Sequence, residues 1–153
     1  MEIGSKHGGV AGRLSNFTPR PFVFEDVECN SMEGLLQSFK FDKEHIQREV
    51  CKLVGLSAKR RGQKRNKAWK SKQTLWWKGV AYERNSDEYQ DLLKRAFFSL
   101  AKNSKFASDL LSTMDSTFSH SIGRSKMQET VLTEREFCSM LLKTREMLKR
   151  GEN

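Results

Sequence analysis

Apolar residues recur at helical spacing in several stretches of the chain, and this pattern predicts a helix-rich fold. The apolar sets, in chain order, are Met32, Leu35, Leu36 and Phe39; Ile46, Val50 and Leu53; Leu92, Leu93, Ala96, Phe97, Leu100 and Ala101; a shorter set within residues 104–114; and Phe137, Met140, Leu141, Thr144 and Leu148. Each set covers one side of a helix, so each helix is expected to bury one face in a common core.

Polar residues that can cap a helix stand before most of these sets. The expected caps are Asn30, Asp42, Ser86 and Thr133, the last in a capping box with Glu136. Glycine is expected to end helices, so the second helix should stop at Gly55 and a short helix from Ser57 should stop at Gly62.

Strands are predicted only where apolar and polar residues alternate over a few positions. Residues 22–24 and 27–29, separated by Glu25 and Asp26, predict a small β-hairpin. Residues 75–82 are rich in strand-forming side chains but also fit an aromatic-rich loop, and residues 118–123 fit a strand or a turn. Strong helices with short strands predict an α+β fold dominated by helices.

The length of the chain limits its organisation. A chain of 153 residues suits one domain with a single core. Residues 1–11 contain several glycines and show no periodicity, so they are expected to form a flexible lead-in to one domain of residues 12–150.

Composition excludes several classes of protein. No apolar run approaches the ~20 residues that a membrane helix needs, and the start of the chain lacks the apolar segment of a signal peptide, so a cytoplasmic protein is expected. Cys29, Cys51 and Cys138 are widely spaced and odd in number, which predicts buried free thiols rather than a disulfide framework or a zinc site.

Charge points to a polyanionic partner. The formal net charge is +9, and residues 59–72 hold eight basic residues without an acidic one. Such a segment could be a solvated basic loop or a disordered insert. Trp69 lies inside it and Trp76 and Trp77 follow, and aromatic residues among cations are what base stacking and phosphate neutralisation require. A phosphate-rich ligand or a nucleic-acid strand would fit.

A row of long polar side chains on the first predicted helix is the main candidate site. Glu33, Gln37 and Lys40 are spaced i, i+4, i+7, so they project together along the border of the apolar face. A solvated ridge with a weak ion pair would have the same spacing. A carboxylate, an amide and an amine at the edge of a core could instead form a reaction site.

Two blocks of residues resemble the NADAR family. The first contains residues 14–17, Pro19 and Phe22, then residues 31–33 with Gln37 and residues 40–41; the second contains Ala58, Lys59, Gly62 and Trp69. The resemblance covers most of residues 12–148 and is strongest in the first block. It implies a pocket lined by Ser15, Asn16, Phe17, Glu33, Gln37, Lys40 and Trp69, with no metal and no cofactor.

The resemblance also implies a reaction, the cleavage of N-glycosidic bonds in ADP-ribose-containing or related compounds. Breaking a ribosyl C1–N bond requires stabilisation of a positive ribose carbon and protonation of the departing base. Glu33 could supply negative charge or act as an acid or base. Lys40 could anchor a phosphate or, with a lowered pKa, attack the ribose carbon. Trp69 is expected to offer a stacking face.

The sequence departs from the family pattern late in the chain. Many members carry an acidic residue and a Trp-Gly pair where this chain has residues 118–124. Gly123 matches the glycine, but the acid and the tryptophan are absent. His120 and Gly123 are therefore expected to contact substrate, with Arg124 as another candidate and a purely structural role for His120 as the alternative.

These observations predict an enzyme, an N-glycosidase that removes ADP-ribose from a nucleobase, with guanine in nucleic acid as the expected substrate. The basic segment favours a polymer as the partner. One alternative is an N-glycosidase that acts on a small NAD-derived or riboflavin-pathway metabolite. The other is a basic nucleic-acid-binding protein without turnover.

Overall fold

The computed structural model describes residues 1–120 and 126–151 and confirms an α+β fold dominated by helices. The helices are α1 (Gly9–Arg13), α2 (Met32–Ser38), α3 (Glu44–Cys51), α4 (Gly55–Gln63), α5 (Asn66–Lys72), α6 (Asp87–Leu100), α7 (Ser104–Leu111) and α8 (Glu134–Lys149), with a 3-10 helix at Met127–Glu129. The strands are β1 (Phe22–Phe24), β2 (Val27–Cys29), β3 (Thr74–Trp77) and β4 (Val80–Glu83).

The predicted first hairpin is confirmed with its predicted turn. Strands β1 and β2 pair antiparallel, with Phe22 opposite Cys29 and Phe24 opposite Val27. Glu25 and Asp26 both adopt positive φ angles, 46° and 70°, as a two-residue turn between twisted strands requires. All four of the paired apolar residues are buried, so the hairpin forms part of the core.

Residues 75–82 form a hairpin rather than an aromatic-rich loop. Strands β3 and β4 pair antiparallel, and Lys78 and Gly79 make the turn at φ angles of 49° and 84°. Leu75 and Trp77 point into the core, whereas Trp76 is half-buried. The ring of Trp77 stacks on Phe24 at 5.2 Å, which joins the two hairpins.

Helix α2 buries the predicted stripe, but its cap lies one residue later than predicted. Ser31, not Asn30, caps the helix, and its hydroxyl accepts a hydrogen bond from the Gly34 N–H at 3.0 Å. Asn30 donates its side-chain amide to the Lys52 carbonyl instead. Gly34 lets α2 approach the end of α3, because a Cβ there would lie 2.6 Å from the Leu53 carbonyl oxygen.

The boundaries of α3 and α4 differ from the prediction. The cap position of α3 is Lys43, which makes no side-chain capping bond, so the predicted cap at Asp42 is wrong. Gly55 opens α4 rather than following α3, and α4 continues through Gly62 to Gln63. A glycine within a helix is tolerated where another element must come close, and Gly62 has that role against α2.

The C-terminal helices are capped as predicted. Ser86 caps α6, and Thr133 and Glu136 form the capping box of α8. Glu136 also accepts two hydrogen bonds from the guanidinium of Arg84, a residue with 0 % exposure. This buried ion pair joins the start of α8 to the end of β4, and partners this far from water are costly to separate.

The first residues are packed on the domain and do not form the predicted lead-in. Ile3 has 0 % exposure, and its N–H donates to the Ser119 carbonyl at 2.7 Å. Glu2 and Ser119 form a parallel bridge. One apolar residue among glycines carries no periodic signal, and its partner lies more than a hundred positions away, so nothing in the local sequence indicates this pairing.

The structure also bears on membrane helices, metal sites and cysteines. Within residues 1–120 and 126–151, no helix is both long and apolar enough to cross a membrane. The same residues contain no group of three or more potential metal-ligating side chains. The three cysteines are free thiols; Cys29 and Cys51 are buried, and Cys138 is half-buried.

Candidate active site

The row of polar side chains, Glu33 and Gln37 on α2 and Lys40 in the turn that follows it, lies in the interior. Gln37 and Lys40 are only 7 % and 6 % exposed, and Glu33 is half-buried. The Gln37 amide donates to a Glu33 carboxylate oxygen at 2.8 Å. A solvated ridge does not describe side chains buried to this extent, so the row is a polar site built into the edge of the core.

Lys40 has the environment of a reactive amine. Its Nζ donates to the Asn66 side-chain oxygen at 2.6 Å. Burial lowers the pKa of Lys40 from its ordinary 10.5 to about 8, because an ammonium ion is poorly solvated in the interior. The nearby charge of Glu33 acts against this shift, and the positive charges of Lys70 and Lys59 reinforce it.

Glu33 is shifted in the opposite sense. Burial raises the pKa of its carboxyl group above the ordinary value, because the charged form is the one that loses water. The hydrogen bond from Gln37 and the positive charge of Lys40 lower that pKa, but burial is the largest effect. The raised pKa of the carboxyl group and the lowered pKa of the amine bring the two values closer together, which favours proton exchange between such groups.

The predicted loop of residues 15–17 lies beside Glu33. The Glu33 N–H donates to the Asn16 carbonyl at 3.1 Å. The Ser15 hydroxyl accepts from the Phe17 N–H at 3.2 Å, so Ser15, which is buried, shapes the turn. Asn16 and Phe17 are half-buried. The loop therefore borders the site, and Asn16 and Phe17 retain accessible surface.

Gly62 on α4 fixes how closely α4 packs on the row. A Cβ at this position would lie 1.7 Å from the Gln37 side-chain oxygen. Ala58, one turn earlier, is also fully buried, so small residues at i and i+4 form the face of α4 that meets α2. The sequence predicts a helix end at Gly62, whereas the structure places Gly62 inside α4.

Gly62→Ala is therefore expected to displace the Gln37 amide from Glu33. We expect turnover to fall by about 100-fold, since small displacements at a reacting centre have effects of this size. Overpacking should lower the free energy of unfolding by ~1–3 kcal/mol. Steady-state rates and thermal melting measure the two effects. Gly8→Ala is the control, because no atom of the described residues lies within 4 Å of a Cβ there. Wild-type rates in Gly62→Ala would show that the position of Gln37 does not matter for turnover.

Trp69 does not provide the predicted stacking face. Its side chain has 0 % exposure and lies in the core. Its indole N–H donates to the side-chain oxygen of Asn66 at 3.3 Å, the same atom that accepts from Lys40. Trp69 is thus connected to the site through Asn66, a residue that the sequence interpretation did not select because nothing in its local pattern distinguishes it.

Comparison with known proteins is consistent with this architecture. The family model described as bacteriophage protein GP30.3 matches residues 8–146. The chain belongs to this GP30.3 family. A relative in Enterobacteria phage T4, named as an uncharacterized 17.1 kDa protein of the Gp30–rIII intergenic region, is 33 % identical over 97 % of this chain and 98 % of its own length.

The fold of this GP30.3-family chain is also found in a solved structure. The NMR structure of the Escherichia coli protein YbiA matches with a TM-score of 0.66, at 14 % identity, over 99 % of this chain and 85 % of YbiA. YbiA is a NADAR protein, so the NADAR-like fold implied by the sequence resemblance is confirmed. At this level of identity the likeness concerns the fold alone.

His120 lies close to the site of this GP30.3-family protein but is held by its own contacts. One ring nitrogen is 2.6 Å from the Ile3 carbonyl oxygen, and the ring meets Phe137 edge-on at 5.2 Å. Its charge lowers the pKa of Glu33. These contacts give His120 a structural role next to the carboxylate. Gly123 and Arg124 lie outside the residues that the structure describes.

The basic segment is helical and is neither a loop nor a disordered insert. Residues 59–72 occupy most of α4 and all of α5. Arg61 and Arg65 lie over the ring of Phe41, at 5.0 and 5.9 Å from its centre, and Arg65 donates to the Lys40 carbonyl. The exposed cations are Lys59, Arg60, Lys64, Lys67 and Lys72. They form a positive surface on the two helices that pack beside the site.

Proposed function

We propose that this protein is an N-glycosidase that removes ADP-ribose from a nucleobase, guanine being the expected base, in nucleic acid. The observation that carries the proposal is the buried Lys40 amine, whose pKa is lowered to about 8 and which lies in the turn directly after the helix of Glu33. Such an amine is a competent nucleophile toward a ribosyl carbon, whereas an ordinary surface lysine is almost fully protonated at neutral pH.

The reaction can be written with these two groups. Neutral Lys40 attacks C1 of the ribose, and a C–N bond to the lysine forms as the bond to the base breaks. The electron pair goes to the base, which takes a proton from the Glu33 carboxylic acid. The resulting carboxylate accepts a proton from the new ammonium group. Ring opening gives a Schiff base, and one water molecule hydrolyses it to release ADP-ribose and the free amine.

The other role considered for Lys40 is that of a phosphate anchor, which must stay charged. With a pKa of about 8 most of the amine is charged at pH 7, and only the neutral fraction can attack the ribose carbon. Lys59 and Lys70 are near enough to lower the pKa of Lys40 and provide alternative positive charges for a phosphate. These charges leave Lys40 available for covalent chemistry.

The pH dependence should separate the two roles. The comparison is made in Glu33→Gln, which has no carboxylic acid to titrate. If neutral Lys40 is the nucleophile, the residual kcat/KM of this variant rises about tenfold per pH unit up to the Lys40 pKa and levels off above it. If the ammonium form anchors phosphate, activity instead falls as the pH rises through the same value. Initial rates between pH 6 and pH 10 measure this directly.

The positive surface of α4 and α5 supports a polymeric substrate. We expect Lys64→Ser, Lys67→Ser and Lys72→Ser together to weaken oligonucleotide binding and to reduce the salt slope by about one for each phosphate that is no longer neutralised. All three lysines are exposed. Release of ADP-ribose from a mononucleotide should be unchanged.

A matched control removes the same amount of charge elsewhere. Lys102→Ser, Lys105→Ser and Lys143→Ser remove three exposed lysines from the α6–α7 connection, α7 and α8. Binding of the oligonucleotide to this variant should keep the wild-type salt slope apart from a small effect of net charge. Equal slopes for both triple variants would show that α4 and α5 are not the binding surface.

The deciding experiment is incubation with an oligonucleotide that carries an ADP-ribosylated guanine, followed by measurement of released ADP-ribose. The same assay with ADP-ribosylated guanosine monophosphate compares polymer with metabolite. Release only from the small molecule would favour the metabolite N-glycosidase. Binding of the oligonucleotide without any release would identify a nucleic-acid-binding protein that does not turn over.

A further inference from the structure

Asn66 joins the reactive amine to the core. It is the first residue of α5 and is half-buried. Its side-chain oxygen accepts from Lys40 Nζ at 2.6 Å and from the Trp69 indole N–H at 3.3 Å. The indole nitrogen is only a donor, and a lysine ammonium is also only a donor. The oxygen rather than the nitrogen of the amide must therefore face both groups, which fixes the orientation of the amide.

We propose that Asn66 is a positioning residue for this reaction. Its uncharged side-chain oxygen accepts a hydrogen bond from the Lys40 amine and holds the amine in place, without a negative charge that would favour the ammonium form. The proposal rests on the proposed function of Lys40 as the nucleophile. Trp69 has 0 % exposure, so the indole that orients the Asn66 oxygen belongs to the rigid core. The amine is thereby connected through one amide to a fully buried residue of the core.

The neutrality of Asn66 is the feature that matters. An amide oxygen accepts a hydrogen bond from either an ammonium or an amine, so Lys40 can lose its proton and keep the contact. A carboxylate at the same place would stabilise the ammonium form and raise the pKa of Lys40 by ~1–3 units. Asparagine therefore supplies the geometry of an aspartate without its charge.

The other charged groups that face Lys40 come from all three helices around it. Glu33 on α2 favours the ammonium, whereas Lys59 on α4 and Lys70 on α5 disfavour it. Arg65 donates to the Lys40 main-chain carbonyl. Burial is the largest effect on the pKa of Lys40 and favours the neutral amine, and a second carboxylate at position 66 would act against it together with Glu33.

The test combines an NMR titration with a pH–rate profile on the full chain. In protein labelled uniformly with 13C and 15N, the 13Cε signal of Lys40 reports its own protonation and is assigned by its absence in Lys40→Arg. In Asn66→Asp we expect the midpoint to rise by about one to three pH units. At pH 7, kcat/KM should fall about ten- to a thousandfold, in proportion to the loss of the neutral amine.

Three further variants complete the experiment. Asn66→Leu keeps the volume but removes the acceptor, so the midpoint should stay at or below that of wild type while kcat falls at every pH. Asn66→Ala serves the same purpose if the leucine variant does not fold. Asn85→Asp, an exposed residue between β4 and α6, adds the same charge elsewhere and should leave the Lys40 midpoint unchanged.

The outcomes are distinct. An unchanged midpoint in Asn66→Asp would show that Asn66 does not hold the amine and would overturn the proposal. A wild-type kcat in Asn66→Leu or its alanine substitute would overturn it as well, because the hydrogen bond would then be dispensable. A raised midpoint without a matching shift of the pH–rate profile would mean that Lys40 is not the nucleophile, so the proposed function fails although the Lys40–Asn66 hydrogen bond is real.

Discussion

Lys40→Arg is expected to lower kcat by about 10⁴-fold or more, while affinity for ADP-ribose remains within a few-fold of wild type. Arginine preserves the positive charge and can still donate to Asn66, which accepts from Lys40 at 2.6 Å. Its guanidinium does not deprotonate at accessible pH, so it cannot attack the ribose carbon. Single-turnover rates and equilibrium binding of ADP-ribose measure the two quantities separately.

Glu33→Gln provides the companion measurement. Glutamine has the size of glutamate but cannot donate a proton to the departing base, so kcat should fall by about 10²–10⁴-fold. Borohydride added during turnover should form a stable adduct on Lys40 in wild-type protein and none in Lys40→Arg. Thermal melting checks that both variants are folded. Near-wild-type turnover in Lys40→Arg would leave Lys40 as an anchor and remove the covalent mechanism.

Trp69→Ala is expected to lower the free energy of unfolding by ~3–5 kcal/mol. The side chain has 0 % exposure, so its removal leaves a large cavity in the core. For a domain of this size each kcal/mol shifts Tm by about 2–4 °C, which gives a fall of about 6–20 °C. Denaturant unfolding and thermal melting measure the effect.

Trp76→Ala is the matched control, because it deletes the same atoms from a half-buried position on β3. Its cost should be clearly smaller. Trp69→Phe keeps most of the buried surface but removes the indole N–H that donates to Asn66. It should therefore lower turnover while Tm stays closer to the wild-type value than in Trp69→Ala. A Trp69→Ala variant that melts like wild type but binds ADP-ribose weakly would restore the stacking role.

The sequence was most informative where a signal is local. The pair Glu25 and Asp26 between two alternating runs predicted the first hairpin, because a two-residue turn and a period of two are short-range properties. The capping box at Thr133 predicted the start of α8 for the same reason. The spacing of Glu33, Gln37 and Lys40 depends on helical rotation, so their common side was predictable, although α2 ends at Ser38 and Lys40 lies in the turn after it.

The sequence could not determine which polar residues enter the interior. The spacing of the α2 row fits a solvated ridge equally well, and its burial depends on α4 packing against it through Gly62. Ser31 rather than Asn30 caps α2, because the Asn30 side chain bonds to Lys52 at the end of α3. Both results depend on neighbours that are distant along the chain.

Trp69 and Asn66 show most clearly the difference between what local sequence predicts and what contacts between distant segments decide. A tryptophan among eight basic residues has the composition of a nucleic-acid contact, and local sequence does not reveal which way a helix face will turn. In the structure the Trp69 side chain lies in the core. Its indole N–H donates to Asn66, which in turn accepts from Lys40. The sequence by itself predicted helices at α2, α3, α4, α6, α7 and α8, the first hairpin and the chemical groups of the site, but not the helices α1 and α5. Only the tertiary structure decided their burial and their partners, because desolvation and hydrogen bonding arise between segments that periodicity cannot connect.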